Sequence, residues 1–232
     1  MERLDKMLAN AGVGSRSDVK AIIRAGRVRL NGEIIKDESK KAGENDEILL
    51  DGKPIRTSGY RYFMLNKPKG VVSATEDPSE KTVVDILKNE HVKGLFPVGR
   101  LDKDTTGLLI LTNDGEFGHR MTSPNRKIDK VYEAVVKGIP DANAIAAFAT
   151  GFIFKEFTSQ PAELVILEKD EASNTAKTRV TIHEGKFHQV KRMFLKVNCE
   201  VLELKRISMG EFILDENLAE GEYKEIIVGD EV

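Results

Sequence analysis

The sequence predicts an α+β protein in two parts: a small helix–helix–hairpin unit, then a larger unit on a mostly antiparallel sheet. Three observations predict it. The first 55 or so residues carry two short amphipathic stretches and then two Asx-Gly turns set between apolar residues. The segment Pro54 to Tyr60 (Pro-Ile-Arg-Thr-Ser-Gly-Tyr) has the composition of a linker. Beyond it, β-rich segments recur with occasional helical ones and no regular βαβ rhythm, the pattern of an antiparallel sheet rather than a parallel one. The boundary is placed so that the units are 1–57 and 58–232.

In the first unit, Leu4, Met7, Leu8 and Ala11 recur at helical spacing, and Gly12 and Gly14 end that helix. Ser15-Arg16-Ser17-Asp18 has the Ser-x-x-acid form of a capping box and starts a second helix, which buries Val19, Ile22 and Ile23 and stops at Gly26. Val28 and Leu30, the turn Asn31-Gly32, and Ile34-Ile35 read as a hairpin; Asp51-Gly52 repeats the device between Ile48-Leu49-Leu50 and Ile55. Arg16, Lys20, Arg24 and Arg27 are three or four apart and are expected on one helical face, away from the apolar stripe.

In the second unit, Tyr62 to Leu65 is a strand leading into Asn66-Lys67-Pro68-Lys69-Gly70, a turn whose two lysines are expected in solvent, within reach of phosphate. Val83, Val84, Ile86 and Leu87 fit a short helix. Leu108 to Leu111 is an uninterrupted apolar run, as in a strand buried on both faces. Lys130 to Val136 alternates and is β-rich, and Asp141 to Ala149 is a helix with an Asp cap. Leu164 to Leu167, Lys177 to Ile182 and Val201 to Leu204 are further strands, and Gly185 to Phe194 opens a helix after a glycine turn.

Apolar content of 40% and charged content of 32% suit a folded chain. No apolar run approaches the roughly 20 residues that span a bilayer, and the charged start, Met1-Glu2-Arg3-Leu4-Asp5, does not read as a signal peptide. Cys199 is the only cysteine, which excludes an internal disulfide and a cysteine-based metal cluster. A cytoplasmic protein is expected. The net charge of −2 hides an asymmetry: residues 1–31 hold seven Lys/Arg against three acids, while residues 215–232 hold seven acids and one Lys. Separated charge of this kind suits a basic face for a polyanion.

The stretch Phe96 to Gly115 draws the chemistry. Asp102 and Asp104, with Thr105, Thr106 and Gly107, lie between apolar segments at the edge of a core. Taken alone, an Asp-x-Asp more often caps a turn than catalyses. Asp102-Lys103-Asp104-Thr105-Thr106 formally matches the Asp-x-Asp-x-Thr of haloacid-dehalogenase-type phosphatases, but the preceding Phe-Pro-Val-Gly-Arg-Leu is a poor central strand. The later Gly-Asp that such a site needs is found only as Gly229-Asp230, at the end of the chain. A calcium loop fails as well, since its twelfth position is Asn113 rather than a bidentate Glu. No P-loop, Gly-x-Ser-x-Gly or His-Glu-x-x-His is present, and His91, His119, His183 and His188 show no ligand spacing and read as structural or surface residues. What remains is an acid used without metal, flanked by Arg100 and Lys103.

Two resemblances gather these features. Arg-Leu-Asp at the start, Gly-x-Gly-Ser-Arg-Ser in the turn and Gly-Arg-Val-Arg-Leu-Asn-Gly at the hairpin resemble the αL RNA-binding motif, the S-four-type module of ribosomal proteins, over residues 1 to about 55. A solvated helix pair that docks a protein is the competing reading of that unit. Gly99-Arg100-Leu101-Asp102-Lys103-Asp104-Thr105-Thr106-Gly107-Leu108-Leu109 resembles the signature of RNA pseudouridine synthases. Lys130-Val131-Tyr132-Glu133 resembles their Tyr-bearing strand, and Glu184-Gly185-Lys186-Phe187-His188-Gln189-Val190-Lys191-Arg192-Met193 their basic motif, so that the resemblance covers nearly all of 61–210 in order. An αL unit ahead of the catalytic part, with His-Gln-Val-Lys-Arg-Met in place of Arg-Gln-Val-Arg-Arg, is similar to the members that act on small-subunit ribosomal RNA.

The resemblance implies isomerisation of uridine to pseudouridine in ribosomal RNA, small-subunit RNA or its assembly intermediate, by a cytoplasmic monomer without cofactor, metal or membrane. It gives Asp102 the reacting role; whether Asp102 attacks ribose, attacks the ring or first removes a ribose proton stays open. Lys191 stands beside it as the cation that keeps a carboxylate ionised in an apolar pocket, with Arg192 as the second choice. Tyr132 offers a ring for stacking and a phenol for proton transfer, and Leu204 a pocket wall. Arg100 fills the gap left by the flipped base, and Asp104, Thr105 and Thr106 hold the loop. Arg3, Ser15, Arg16, Lys20, Arg24, Arg27, Arg100 and Arg192 contact RNA. The competing readings are a large-subunit enzyme of the same family and a non-catalytic RNA-binding assembly factor; the intact Asp102, Tyr132 and basic pair speak against the latter.

Overall fold

The computed structural model describes residues 1–43, 46–57 and 59–229. Ser58, the first residue of the second expected unit, and Asp230 of the terminal Gly-Asp lie outside them. In the N-terminal unit, α1 (Leu4–Asn10) and α2 (Arg16–Arg24) are followed by the strands β1 (Val28–Leu30), β2 (Glu33–Ile35) and β3 (Ile48–Leu50). The capping box forms as read: the Ser15 side chain accepts from the Asp18 backbone N–H, and the Asp18 carboxylate accepts from Ser15 N. Asn31 and Gly32 both take positive φ, 49° and 85°, which is what a two-residue turn joining β1 to β2 demands. Leu4, Leu8, Val19, Ile23, Val28 and Ile48 close a small core of their own.

One expectation is corrected here. Arg16, Lys20 and Arg24 are on α2, but the helix ends at Arg24 with Ala25 as its cap, so Arg27 is not on that face. Its guanidinium instead reaches the hairpin and donates to Asp51.

The larger unit is one nine-stranded sheet. Its long strands are β4 (Tyr62–Lys67), β5 (Thr106–Thr112), β6 (Lys130–Lys137), β7 (Glu163–Asp170), β8 (Thr175–Ile182), β9 (Glu200–Met209) and β10 (Tyr223–Ile226), in the order β7-β8-β6-β9-β5-β4-β10. Every pairing along that order is antiparallel except β5 with β9, which run parallel over only two residue pairs, Thr106 with Lys205 and Gly107 with Arg206. The sheet is thus mostly antiparallel, as expected, with a short parallel seam at its centre. The strands touch there: Gly107 takes φ +99°, and a Cβ on it would lie 2.2 Å from the Arg206 carbonyl oxygen. Only glycine closes that seam.

β5 is the strand the apolar run announced. Leu109 and Leu111 belong to the larger core and Leu108 and Ile110 to a second core on the opposite face, all four fully buried. Four helices follow the sheet's connections: α3 (Val83–Ile86), α4 (Gly115–Thr122), α5 (Ala142–Thr150) and α6 (Gln189–Lys196). Thr82 with Asp85, Asp114 and Asp141 cap the first three. α6 is entered through His188 in the left-handed conformation, φ +51°, and buries Val190, Met193 and Phe194. The seam between β5 and β9 and the start of α6 meet at one cleft.

Candidate active site

Asp102 lies on the loop that leads into β5, and that loop is braced from two sides. Ser73 Oγ donates to the Leu101 carbonyl at 2.9 Å, and Leu101 N–H donates back to the same oxygen at 3.1 Å. On the other side Lys67 Nζ donates to the carbonyls of Pro68, Lys103 and Thr105 at 3.1, 3.3 and 3.0 Å, and Gly70 N–H donates to the Lys103 carbonyl at 2.8 Å. Lys67 is completely buried, and burial pushes its ammonium down to about 8, against the pull of Asp104 and Asp102. The expectation of two solvent-facing lysines therefore fails at Lys67. Its three donors spend themselves on the backbone of the Asp102 loop, and only Lys69 is exposed.

The carboxylate of Asp102 faces α6. Lys191 Nζ lies 3.2 Å from Asp102 Oδ2 and 2.6 Å from Asp104 Oδ1, with the lysine 19% exposed and Asp102 27%. Lys191 is thus shared, and its hydrogen bond holds the Asp104 carboxyl below the ordinary carboxylate range. Asp104 does more than shape its own loop, since it anchors the ammonium that faces Asp102. His188 Nε2 stands 3.6 Å from Asp102 Oδ1, beyond hydrogen-bond reach but in the same cleft, so this histidine is not a surface residue remote from the site. The second-choice cation is elsewhere. Arg192 donates to Glu156, with its guanidinium carbon 4.6 Å from the Phe154 ring centre and 5.1 Å from that of Phe157. One helical step separates Lys191 from Arg192, and it turns them to different neighbours.

The cleft holds about 480 Å³, enough for a nucleoside. Asp102, Tyr132, Lys191 and Leu204 all line it, and exposed Arg100 stands in the same lining. Tyr132 on β6 and Leu204 on β9 are each 7% exposed and belong to the main core. The opposite wall is the loop before α6. Its shape comes from Glu184, whose Oε1 accepts from Gln160 N–H and from Gln189 Nε2, both at 2.8 Å, while Gln189 Oε1 accepts from Lys186 N–H. That order leaves Phe187 73% exposed, stacked on the His188 ring with centroids 3.9 Å apart.

Arg3, Arg16, Arg24 and Arg27 of the N-terminal unit are engaged with acids. Arg3 and Arg16 both donate to Asp5, which is fully buried and whose carboxyl the Arg3 guanidinium holds well below the usual range. Arg24 pairs with Glu38 at 2.6 Å. Lys20 has no ion pair among the described residues, and Ser15 serves as the helix cap. The sequence reading missed Lys67, Glu184, Gln189, His188 and Arg206 as residues of the site. For Arg206 a signal existed: it is two residues past Leu204 on the same strand, hence on the same face. For Glu184, His188 and Gln189 the signal was their place in the basic motif from Glu184 to Met193; for Lys67 local sequence offers none, because its place depends on loops meeting in space.

The geometry now bears comparison with known proteins. Residues 61–196 match the model of the RNA pseudouridylate synthase family, and residues 2–48 match the S4 domain. The chain belongs to the RNA pseudouridylate synthases. It is 44% identical to the uncharacterised RNA pseudouridine synthase YtzG of Bacillus subtilis, over 97% of this chain and 94% of that protein. It is 41% identical to ribosomal large subunit pseudouridine synthase B of the same organism, over 89% of this chain and 84% of the relative. To ribosomal small subunit pseudouridine synthase A of Yersinia pestis it is 40% identical, over 96% and 93%. A crystal structure of a pseudouridylate synthase, 35% identical, superposes with a TM-score of 0.63 over 98% of this chain and 96% of the other. The protein is an isomerase of this family, and the cleft described above lies within the matched segment apart from β9. Among the described residues, no helix is long and apolar enough to cross a membrane.

Proposed function

We propose that the protein converts a specific uridine of small-subunit ribosomal RNA to pseudouridine, with Asp102 as the reacting group. The observation that carries this reading is the Asp102–Lys191 contact at 3.2 Å, set in a nucleoside-sized cleft beside Tyr132 and Leu204. The reaction breaks the bond from uracil nitrogen to ribose, turns the base and rejoins it through carbon. It needs no redox partner or external atom, so the proposal includes no cofactor. The target base leaves the RNA stack at a cost of a few kcal/mol and enters the cleft, where the Tyr132 ring packs on it and Leu204 closes the wall. Lys191, tied to Asp104, keeps a positive charge beside the Asp102 carboxylate while the base excludes water. The Tyr132 phenol passes the last proton. Arg100 fills the gap in the RNA, and exposed Phe187 stacks on a neighbouring base at the rim.

In this reading, residues 1–57 anchor the RNA and residues 58–232 carry the chemistry. Lys20, Arg24, Arg27 and the outward N–H groups of Arg3 and Arg16 meet phosphate, with Ser15 at the turn between the helices and Arg192 near the cleft. The protein works as a cytoplasmic monomer on ribosomal RNA or an assembly intermediate. A second reading, a large-subunit target, is favoured by the 41% identity to a large-subunit enzyme, which matches that to the small-subunit relatives. Carbodiimide labelling followed by reverse transcription, on both ribosomal RNAs from cells with and without the gene, separates the two. Loss of one stop in small-subunit RNA is expected. A lost stop in large-subunit RNA transfers the assignment, and unchanged maps overturn both.

A further inference from the structure

Two residues that line the cleft carry buried polar atoms without protein partners. Thr105 Oγ1 and Arg206 Nη2 are buried and have no hydrogen-bond partner among the described residues. Thr105 is 1% exposed and Arg206 2%, yet both line the cleft. They flank the seam where β5 and β9 part: Thr105 immediately precedes the paired Thr106, and Arg206 is opposite Gly107 on one side and Tyr132 on the other. The guanidinium is fixed by its Nε, which donates to the Leu108 carbonyl at 2.8 Å, and it forms no ion pair among the described residues. Nearby, the Lys130 ammonium donates to the Ile128 carbonyl at 2.8 Å and lines the same cleft. A buried cation with an unused N–H, beside a hydroxyl with nothing to bond, is costly unless something entering the cleft completes both.

We propose that Arg206 and Thr105 bind the imide edge of the flipped uracil, Arg206 donating to the C4 carbonyl and the Thr105 hydroxyl meeting N3–H or the C2 carbonyl. This rests on the reading of the cleft as a uridine site. A flipped nucleotide enters base first, so its ring reaches the floor while its phosphates stay at the mouth. Arginine offers only donors, which suits a uracil carbonyl and opposes the exocyclic amine that cytosine carries at the same place. The imide edge also suits the reaction. Turning the ring about the axis through N3 and C6 exchanges N1 with C5 and C2 with C4, so the sequence C=O, N–H, C=O maps onto itself. One set of donors therefore holds the base before and after it turns, while the bond to ribose is open. Uridine selectivity comes from Arg206, and both residues retain the detached base.

The test uses an RNA that the wild-type protein converts, and the same RNA with cytidine at the target as competitor. The readout is the competitor's Ki divided by the KM of the uridine RNA. In the wild type this ratio is expected to exceed about 10, the worth of one well-made hydrogen bond. Arg206→Gln, whose amide can turn to accept from the cytosine amine as readily as it donates to a carbonyl, should lower it about fivefold or more, by raising KM and lowering the competitor's Ki; Thr105→Val should raise both constants, because a hydroxyl pairs with either base, and Thr105→Ser should restore them. A structural role, or a phosphate contact by Arg206, weakens both RNAs alike and leaves the ratio unchanged in Arg206→Gln, which overturns the proposal. If Arg206→Gln does not fold, the wild-type ratio and the Thr105 pair decide: a ratio near unity, or an unchanged KM in Thr105→Val, overturns the proposal. Absence of pseudouridine in every RNA offered to the wild type instead overturns the reading of the cleft itself.

Discussion

Lys67 shows how a single buried charge shapes the site. Its ammonium spends all three donors on the carbonyls of residues 68, 103 and 105, and two of those belong to the Asp102 loop. Burial lowers its pKa from the ordinary 10.5 to about 8. Between these values the unfolded chain binds a proton that the folded chain does not, so the contribution of this group to stability rises with pH across that window. Lys67→Met removes the rise. The stability difference between wild type and variant, from urea unfolding at pH 7.5 to 10.5, should move toward the wild type by on the order of 2–3 kcal/mol. A difference that stays flat with pH means that the ammonium is not desolvated as described. Above pH 8 the neutral amine keeps two donors for three carbonyls, and the loop loses one brace.

At the scale of elements, the sequence was most informative where local chemistry decides the outcome. The Ser15–Asp18 and Thr82–Asp85 boxes, the Asp141 cap and the Asn31-Gly32 turn are short-range devices, and of these the Ser15 box, the Asp141 cap and the turn were read from the chain. The two-faced burial of β5 followed from four apolar residues in a row. The acidic loop, its facing lysine and the Tyr-bearing strand were likewise named from motif order, and the fold brings Asp102, Tyr132, Lys191 and Leu204 to one cleft. Illegible were the contacts made between elements distant in sequence. A lysine beside Pro-Gly looks like an exposed turn until the Asp102 loop is laid over it, 36 residues away along the chain. The assignment of Arg27 to the helical face failed because spacing alone does not reveal that Ala25 caps the helix. Arg192 stood as the second choice after Lys191 until the Phe154–Phe157 segment claimed it.

For the whole molecule, the proposed function gives the N-terminal unit the anchoring of RNA and the cleft of the larger unit the reaction. The formal excess of basic residues in 1–31 is partly cancelled by Asp5, Glu38 and Asp51, which hold Arg3, Arg16, Arg24 and Arg27. Arg16 is a poor residue to remove, because it also covers the buried Asp5; Lys20 and Arg24 make the cleaner test. With both changed to Ala, the plot of log affinity for ribosomal RNA against log salt should lose about two phosphate contacts' worth of slope. An unchanged slope would mean that α2 does not touch phosphate.

The central claim is that one carboxylate in this cleft reacts with a uridine that RNA binding delivers to it. Asp102→Asn keeps the size of the side chain and a partner for Lys191, while removing the charge. Purified wild type and variant, offered the same unmodified ribosomal RNA transcripts, are compared by carbodiimide mapping and by filter binding. The variant is expected to bind RNA within about twofold of the wild type and to form no pseudouridine. Turnover by Asp102→Asn at the wild-type rate would contradict the account.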